Sequence, residues 1–223
     1  MLHLGSIRGT SIDIDFSFFI LILLFVALNY NPQLGIQYAL LWIPVIFISV
    51  LIHELAHAAM IGIFGFGSSQ IILGGMGGVT INSRQARPWQ DMLISVAGPA
   101  SSFGLGFLTW GIMIGAPQYQ NDPMLKALLP VLVYANIGWG LFNLIPTPPL
   151  DGGHATRDFF RMFLSERTAF IVATWIAIIV GGAIAVWFFV GRKQFFIAFY
   201  IAWFVFMAFQ RWQDFQKYGT PQD

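Results

Sequence analysis

Residues 50–60 read VLIHELAHAAM, and they lie inside a stretch from 38 to 64 in which Glu54 is the sole charged side chain. An apolar run of this length matches a membrane span, which needs about 20 residues. It also holds His53, Glu54 and His57 where a plain lipid-crossing helix would carry none of them. A carboxylate at the centre of a span costs roughly 2.5–3.5 kcal/mol even on the lenient insertion scale, so something must offset it. Two histidines four apart share one helical face, about a turn from each other, as two imidazoles must to bind one metal ion. Glu54, next to the first, is placed to act as a general base. Core histidines satisfied by hydrogen bonds are the alternative reading of the same residues.

The rest of the chain has the same character. Of 223 residues, 57% are hydrophobic and 9% charged, and the mean hydropathy is +0.72, which is a membrane composition. No Asp, Glu, Lys or Arg occurs in residues 16–53, 55–83, 92–121, 127–150, 168–191 or 194–210. Six spans follow, at about 16–30, 38–64, 92–115, 127–146, 168–190 and 194–211, in an all-α polytopic protein of one membrane domain over 1–223. Residues 71–81, IILGGMGGVTI, are too rich in glycine for a helix and are expected to be extended or re-entrant, with an edge that a substrate strand could pair. The acidic pair Asp13 and Asp15 ahead of the first apolar run, with no small-residue cleavage site behind it, argues against a cleaved leader.

A net charge of +1 without a basic block gives no reason to expect nucleic acid. With the N-terminus in the cytoplasm, that side holds Arg8, Arg84, Arg87, Arg157, Arg161, Arg167, Arg211 and Lys217, and the outer side Lys126, Arg192 and Lys193. The bias favours both termini inside, and a multi-pass plasma-membrane protein is expected. The second span then runs inward, with His53 and His57 past its midpoint.

Zero cysteines exclude disulfides, thiolate metal sites and cysteine nucleophiles, so any metal must take His, Asp or Glu. Catalytic zinc usually has three protein ligands and one open position. The other glutamate of the chain, Glu166, falls in a charged segment, and an aspartate is the natural third ligand. Among Asp13, Asp15, Asp91, Asp122, Asp151 and Asp158, one has unusual surroundings: NLIPTPPLDGGH, residues 143–154. Pro146, Pro148 and Pro149 must end the fourth span, and broken backbone at membrane depth needs a cavity or protein around it. Such a segment can aim Asp151 at a metal in the cytoplasmic half. Asp151 as a helix N-cap, and His154 as the ligand instead, remain open on the local sequence.

HELAH at 53–57 together with NLIPTPPLDGG at 143–153 resembles the site-2 protease family of intramembrane zinc metalloproteases, peptidase family M50. The resemblance covers about 38–165, the expected catalytic core. It implies one Zn2+ per chain held by His53, His57 and Asp151, Glu54 as general base, and Asn143 as a donor to the oxyanion. It also implies hydrolysis of peptide bonds within transmembrane segments, for regulated intramembrane proteolysis or clearance of signal-peptide remnants. The partners it implies are transmembrane substrates in the lipid bilayer, with a regulatory membrane protein or an upstream protease. The form is expected to be minimal, without a PDZ or CBS domain. SVAGPASSF at 95–103 is similar to the family's Gly-Pro segment, but Ser101 and Ser102 stand where an asparagine often occurs, and no chemistry is read for them. A prenyl-protein-type zinc protease would need a later glutamate ligand that this chain lacks. A non-enzymatic metal-binding or transport protein is the remaining alternative; it needs no general base.

Overall fold

The computed structural model describes residues 1–83 and 85–219. It separates into two compact units, 1–85 with 97–140, and 86–96 with 141–223.

The first unit begins with a hairpin of β1 (Leu2–Ile7) and β2 (Thr10–Ile14). Its two-residue turn, Arg8-Gly9, has φ of 49° and 85°, the left-handed pair that matches the twist of the flanking strands. After α1 (Phe16–Leu28), α2 (Ile36–Leu40) and α3 (Trp42–Ile63), the chain returns as β3 (Gln70–Gly74) and β4 (Gly77–Ile81). β3 pairs parallel with β2, Ile12 opposite Ile71 and Ile14 opposite Leu73, and antiparallel with β4, giving the order β1-β2-β3-β4. Alternation sends Ile12, Ile14, Ile71 and Leu73 to one face, where they are buried with Phe18 of α1 and Val50 of α3. The unit is completed by much of α4 (Pro88–Gly115) and α5 (Pro123–Asn143), whose Val131 and Ala135 join the same core.

Residues 71–81 are therefore extended, as expected, but as a hairpin within a sheet. The N-terminal strands were not anticipated; they extend that hairpin into a small four-stranded sheet within a mostly helical polytopic fold, in keeping with the all-α reading. Their signal is present in TSIDI, whose apolar residues alternate with polar ones.

In the second unit the chain leaves α5 at Asn143, turns through residues 144–150, and enters α6 (Asp151–Arg161), α7 (Glu166–Val186), a π-helical turn (Trp187–Gly191) and α8 (Phe195–Tyr218). Ile145, Leu150, Ala185, Ile201 and Phe204 form its apolar core. Arg157 and Arg161 clasp the two carboxylate oxygens of Glu166, each at 2.6 Å, and Arg161 also reaches Asp158 at 2.8 Å and Asp91 at 3.6 Å. Burial lifts the Asp158 carboxyl above its usual range, against the Arg161 hydrogen bond.

Among the described residues, five helical stretches are long and apolar enough to cross a membrane: Ile36–Ile63, Pro88–Gly115, Pro123–Asn143, Glu166–Gly191 and Phe195–Tyr218. The first expected span forms a helix of only 13 residues, Phe16–Leu28. At 1.5 Å per residue it measures about 20 Å, short of a hydrocarbon core of about 30 Å. Arg84, counted above on the cytoplasmic side, lies outside the described residues.

Candidate metal centre

Ser49, His53 and His57 fall at intervals of four on α3 and line one buried face of it. His53, Glu54 and His57 are 2%, 4% and 6% exposed, so the carboxylate is held away from solvent together with both imidazoles. The two rings lie 4.9 Å apart, centre to centre.

Two positions of α4 face this pair. Gly98 has no side chain where one could not exist: a Cβ there would overlap Nε2 of His57 and lie 2.5 Å from Nε2 of His53. Both Nε2 atoms therefore converge on the space that this glycine leaves. One turn later, Ser102, 1% exposed, meets His53 from the other side, its Oγ 3.0 Å from Nδ1. Next along α3, Ser49 Oγ accepts from Nδ2 of the fully buried Asn136 on α5 at 3.0 Å.

Glu54 is covered by β4. Thr80 Oγ1 donates to Glu54 Oε2 at 2.8 Å and approaches its backbone carbonyl at 3.2 Å. A Cβ on Gly78 would lie 2.5 Å from Glu54 Cδ and 2.6 Å from Oε1, and one on Gly77 would lie 2.7 Å from the Trp139 ring. The glycine run is thus what lets a strand pass this close to a carboxylate and an indole. The hairpin tip is fastened at α1: Asp15 Oδ1 accepts from the Ser17 amide at 2.9 Å and from its hydroxyl at 2.5 Å, and Ser17 Oγ accepts from the Gly75 amide at 2.8 Å. At the other end of the hairpin Asp13 accepts from Gln70 at 2.8 Å and bonds His3 at 2.8 Å. These hydrogen bonds, Gln70 first and then His3 for Asp13, and Ser17 for Asp15, hold both carboxyls below the usual aspartate range.

Asn143 and Asp151 belong to the second unit. Asn143 is the last residue of α5, and Asp151 the first of α6; both are half-buried. The three prolines end the helix as expected. Leu150, not Asp151, occupies the N-cap position. His154, the rival ligand, is exposed. The two glycines after Asp151 allow α6 to begin against the preceding turn: a Cβ on Gly152 would lie 2.6 Å from Ile145 O, and one on Gly153 2.6 Å from the Thr147 carbonyl carbon. Thr147 is in turn buried beside α7, its Oγ1 3.4 Å from Ala177 O and 2.6 Å from where a Cβ of Gly181 would sit.

The first unit thus gathers His53, Glu54 and His57, and the second carries Asn143 and Asp151. Sequence reasoning missed Ser102, Thr80 and the clearances at Gly78 and Gly98. All four act across 20 or more residues of chain: the segments that hold them, 71–81 and 95–103, stood out in the sequence, but the residues they meet did not.

Comparison with known proteins adds three findings. The peptidase family M50 model matches residues 111–188, which hold Asn143 and Asp151. A zinc metalloprotease of Methanocaldococcus jannaschii is 29% identical over 184 residues, 82% of this chain and 51% of the relative. A protein of Synechocystis sp., provisionally named a zinc metalloprotease, is 31% identical over 203 residues, 81% of this chain and 52% of the relative. The chain spans about half the length of these curated relatives. Among solved structures, a site-2 protease from Methanocaldococcus jannaschii aligns with a TM-score of 0.63 and 25% identity, covering 94% of each chain.

Proposed function

We propose, for a chain that belongs to the site-2 protease family of zinc metalloproteases, peptidase family M50, the role of an intramembrane endopeptidase cutting within transmembrane segments of other proteins. The observation that carries this reading is a glutamate buried beside two converging imidazoles in an apolar span.

The donor set suits zinc. Two imidazoles whose Nε2 atoms face one cleared space, and the aspartate that begins α6, supply three ligands in His53, His57 and Asp151. A single divalent ion also offsets the cost of burying Glu54 in a span. When bound, zinc supplies Lewis acidity, polarising the scissile carbonyl and bringing the pKa of water to about 7. Glu54 takes the proton of the attacking water on its carboxylate and returns it to the departing amine as the C–O bond forms and the C–N bond breaks. Thr80 engages Oε2, which orients the carboxylate and directs Oε1 to the proton. Asn143 donates its amide to the oxyanion. The outer edge of β4 holds the unwound substrate as an added strand, which frees the carbonyl that a helix would keep in its own hydrogen bonds.

Substrates reach the site from the bilayer, after an upstream protease or with a regulatory membrane protein. The protein is a multi-pass component of the plasma membrane with both termini in the cytoplasm. That orientation requires α1 to complete a sixth passage with its flanking residues, the point on which the Lys and Arg balance and the helix lengths pull apart.

Glu54→Gln is the test. We expect one zinc per chain in wild type and variant alike, with cleavage of a transmembrane model substrate in detergent lost in the variant. Cleavage that survives the substitution would remove the general base and leave a metal-binding or transport protein as the better account.

A further inference from the structure

We propose that Ser102 is a positioning residue for the metal, fixing the His53 ring so that Nε2 is its ligand atom. The inference rests on the reading of His53 as a zinc ligand and goes beyond it.

Three other helix hydroxyls show the local alternative open to a serine or threonine on a helix. Ser101 Oγ donates to Gly98 O at 2.7 Å, Thr109 Oγ1 to Leu105 O at 2.8 Å, and Thr156 Oγ1 to Gly152 O at 2.6 Å: each folds back on its own helix. Ser102 instead reaches across from α4 to α3, to His53 Nδ1 at 3.0 Å, and both partners are almost wholly buried. An imidazole that ligates through Nε2 carries its proton on Nδ1, and that proton needs an acceptor in a dry interior. Ser102 Oγ is that acceptor. Gly98 and Ser102 are one turn apart on α4, so a single face clears the metal side of the ring and holds the far side. Without the hydroxyl the ring can swing about its outer torsion and offer either nitrogen.

The readout is zinc affinity of the full-length protein in detergent, by competition with a chromogenic chelator, together with the visible spectrum of the cobalt-substituted form. Ser102→Ala is expected to weaken zinc by about 10- to 100-fold, the usual effect of losing such an outer partner, and to alter the cobalt bands. Ser102→Thr, which keeps the hydroxyl, restores both. Thr109→Ala removes a buried hydroxyl of the same helix and leaves both unchanged. Unchanged affinity in Ser102→Ala, or an equal loss in Thr109→Ala, overturns the proposal. If Ser102→Ala does not fold, nitrogen-15 shifts of the wild-type histidines decide: Nε2 metallated and Nδ1 protonated at His53 supports the assignment, and Nδ1 metallated sinks it. His53→Ala separates the two layers. Zinc lost there but unaffected by Ser102→Ala defeats this inference alone, whereas zinc retained in His53→Ala defeats the ligand reading beneath it.

Discussion

Thr80 shows how a single hydroxyl links the hairpin to the base. Its Oγ1 lies 2.8 Å from Glu54 Oε2, and a hydrogen bond to a charged group contributes about 1.5–3 kcal/mol. If that bond orients the carboxylate for proton transfer, Thr80→Ala should lower kcat about 10- to 100-fold, since each 1.36 kcal/mol is a tenfold change. Zinc content should be unchanged, and Thr80→Ser should recover most of the rate. A kcat that survives Thr80→Ala would mean that Glu54 is positioned by other contacts. The shared buried face of His53 and His57 was legible because a spacing of four is about one helical turn, and Glu54 beside them stood out as the lone charge of its apolar run. Ser102 and Thr80 were not legible, because the glycine motifs beside them do not say which residue they meet; each is defined by what the fold brings opposite.

At the scale of elements, the turn from Asn143 to Asp151 depends on clearances in its own unit. Gly181 gives Thr147 its place, with a prospective Cβ 2.6 Å from Oγ1, while a Cβ on Gly182 would meet nothing within 4 Å. Gly181→Ala should therefore cost about 1–3 kcal/mol by overpacking, and Gly182→Ala should be neutral or stabilising by up to about 1 kcal/mol. Thermal unfolding in detergent compares them, and equal effects would refute the packing argument. Gly181, Gly182, Gly104 and Gly106 all lie in apolar helices, where a glycine permits close packing. Gly181 and Gly106 do face neighbours, and Gly104 and Gly182 do not, a distinction of rotational phase that composition cannot express. The sheet was half legible. The glycine run at 71–81 excluded a helix, but its pairing with residues 10–14 required contacts some 60 positions apart. Acid should loosen this sheet. Asp13 and Asp15 have folded pKa values below the usual 3.8, so their contribution is complete above that value and is lost as pH falls below it through the lowered folded values. Hydrogen exchange of the β1–β3 amides should accelerate on acidification below 3.8, and Asp13→Asn should flatten the dependence. Protection that grows with acid would contradict the assignment.

For the molecule as a whole, composition established the membrane setting, and the charge-free runs located every long helix, although α8 runs on to Tyr218, past the expected end at 211. What they could not give was the length of α1, where an expected span at 16–30 yielded a helix of thirteen residues, the Asp15 cap fixing its start and Asn29 its end. Apolarity reports where a segment partitions, and caps decide how much of it is helix. The central claim is hydrolysis inside a membrane segment, and mapping the cut tests it most directly. Purified protein in detergent, incubated with a single-span model substrate, should yield fragments whose masses place the broken bond within the apolar span, and none from Glu54→Gln. Fragments that place it in a flanking soluble segment, or identical fragments from Glu54→Gln, would contradict the account.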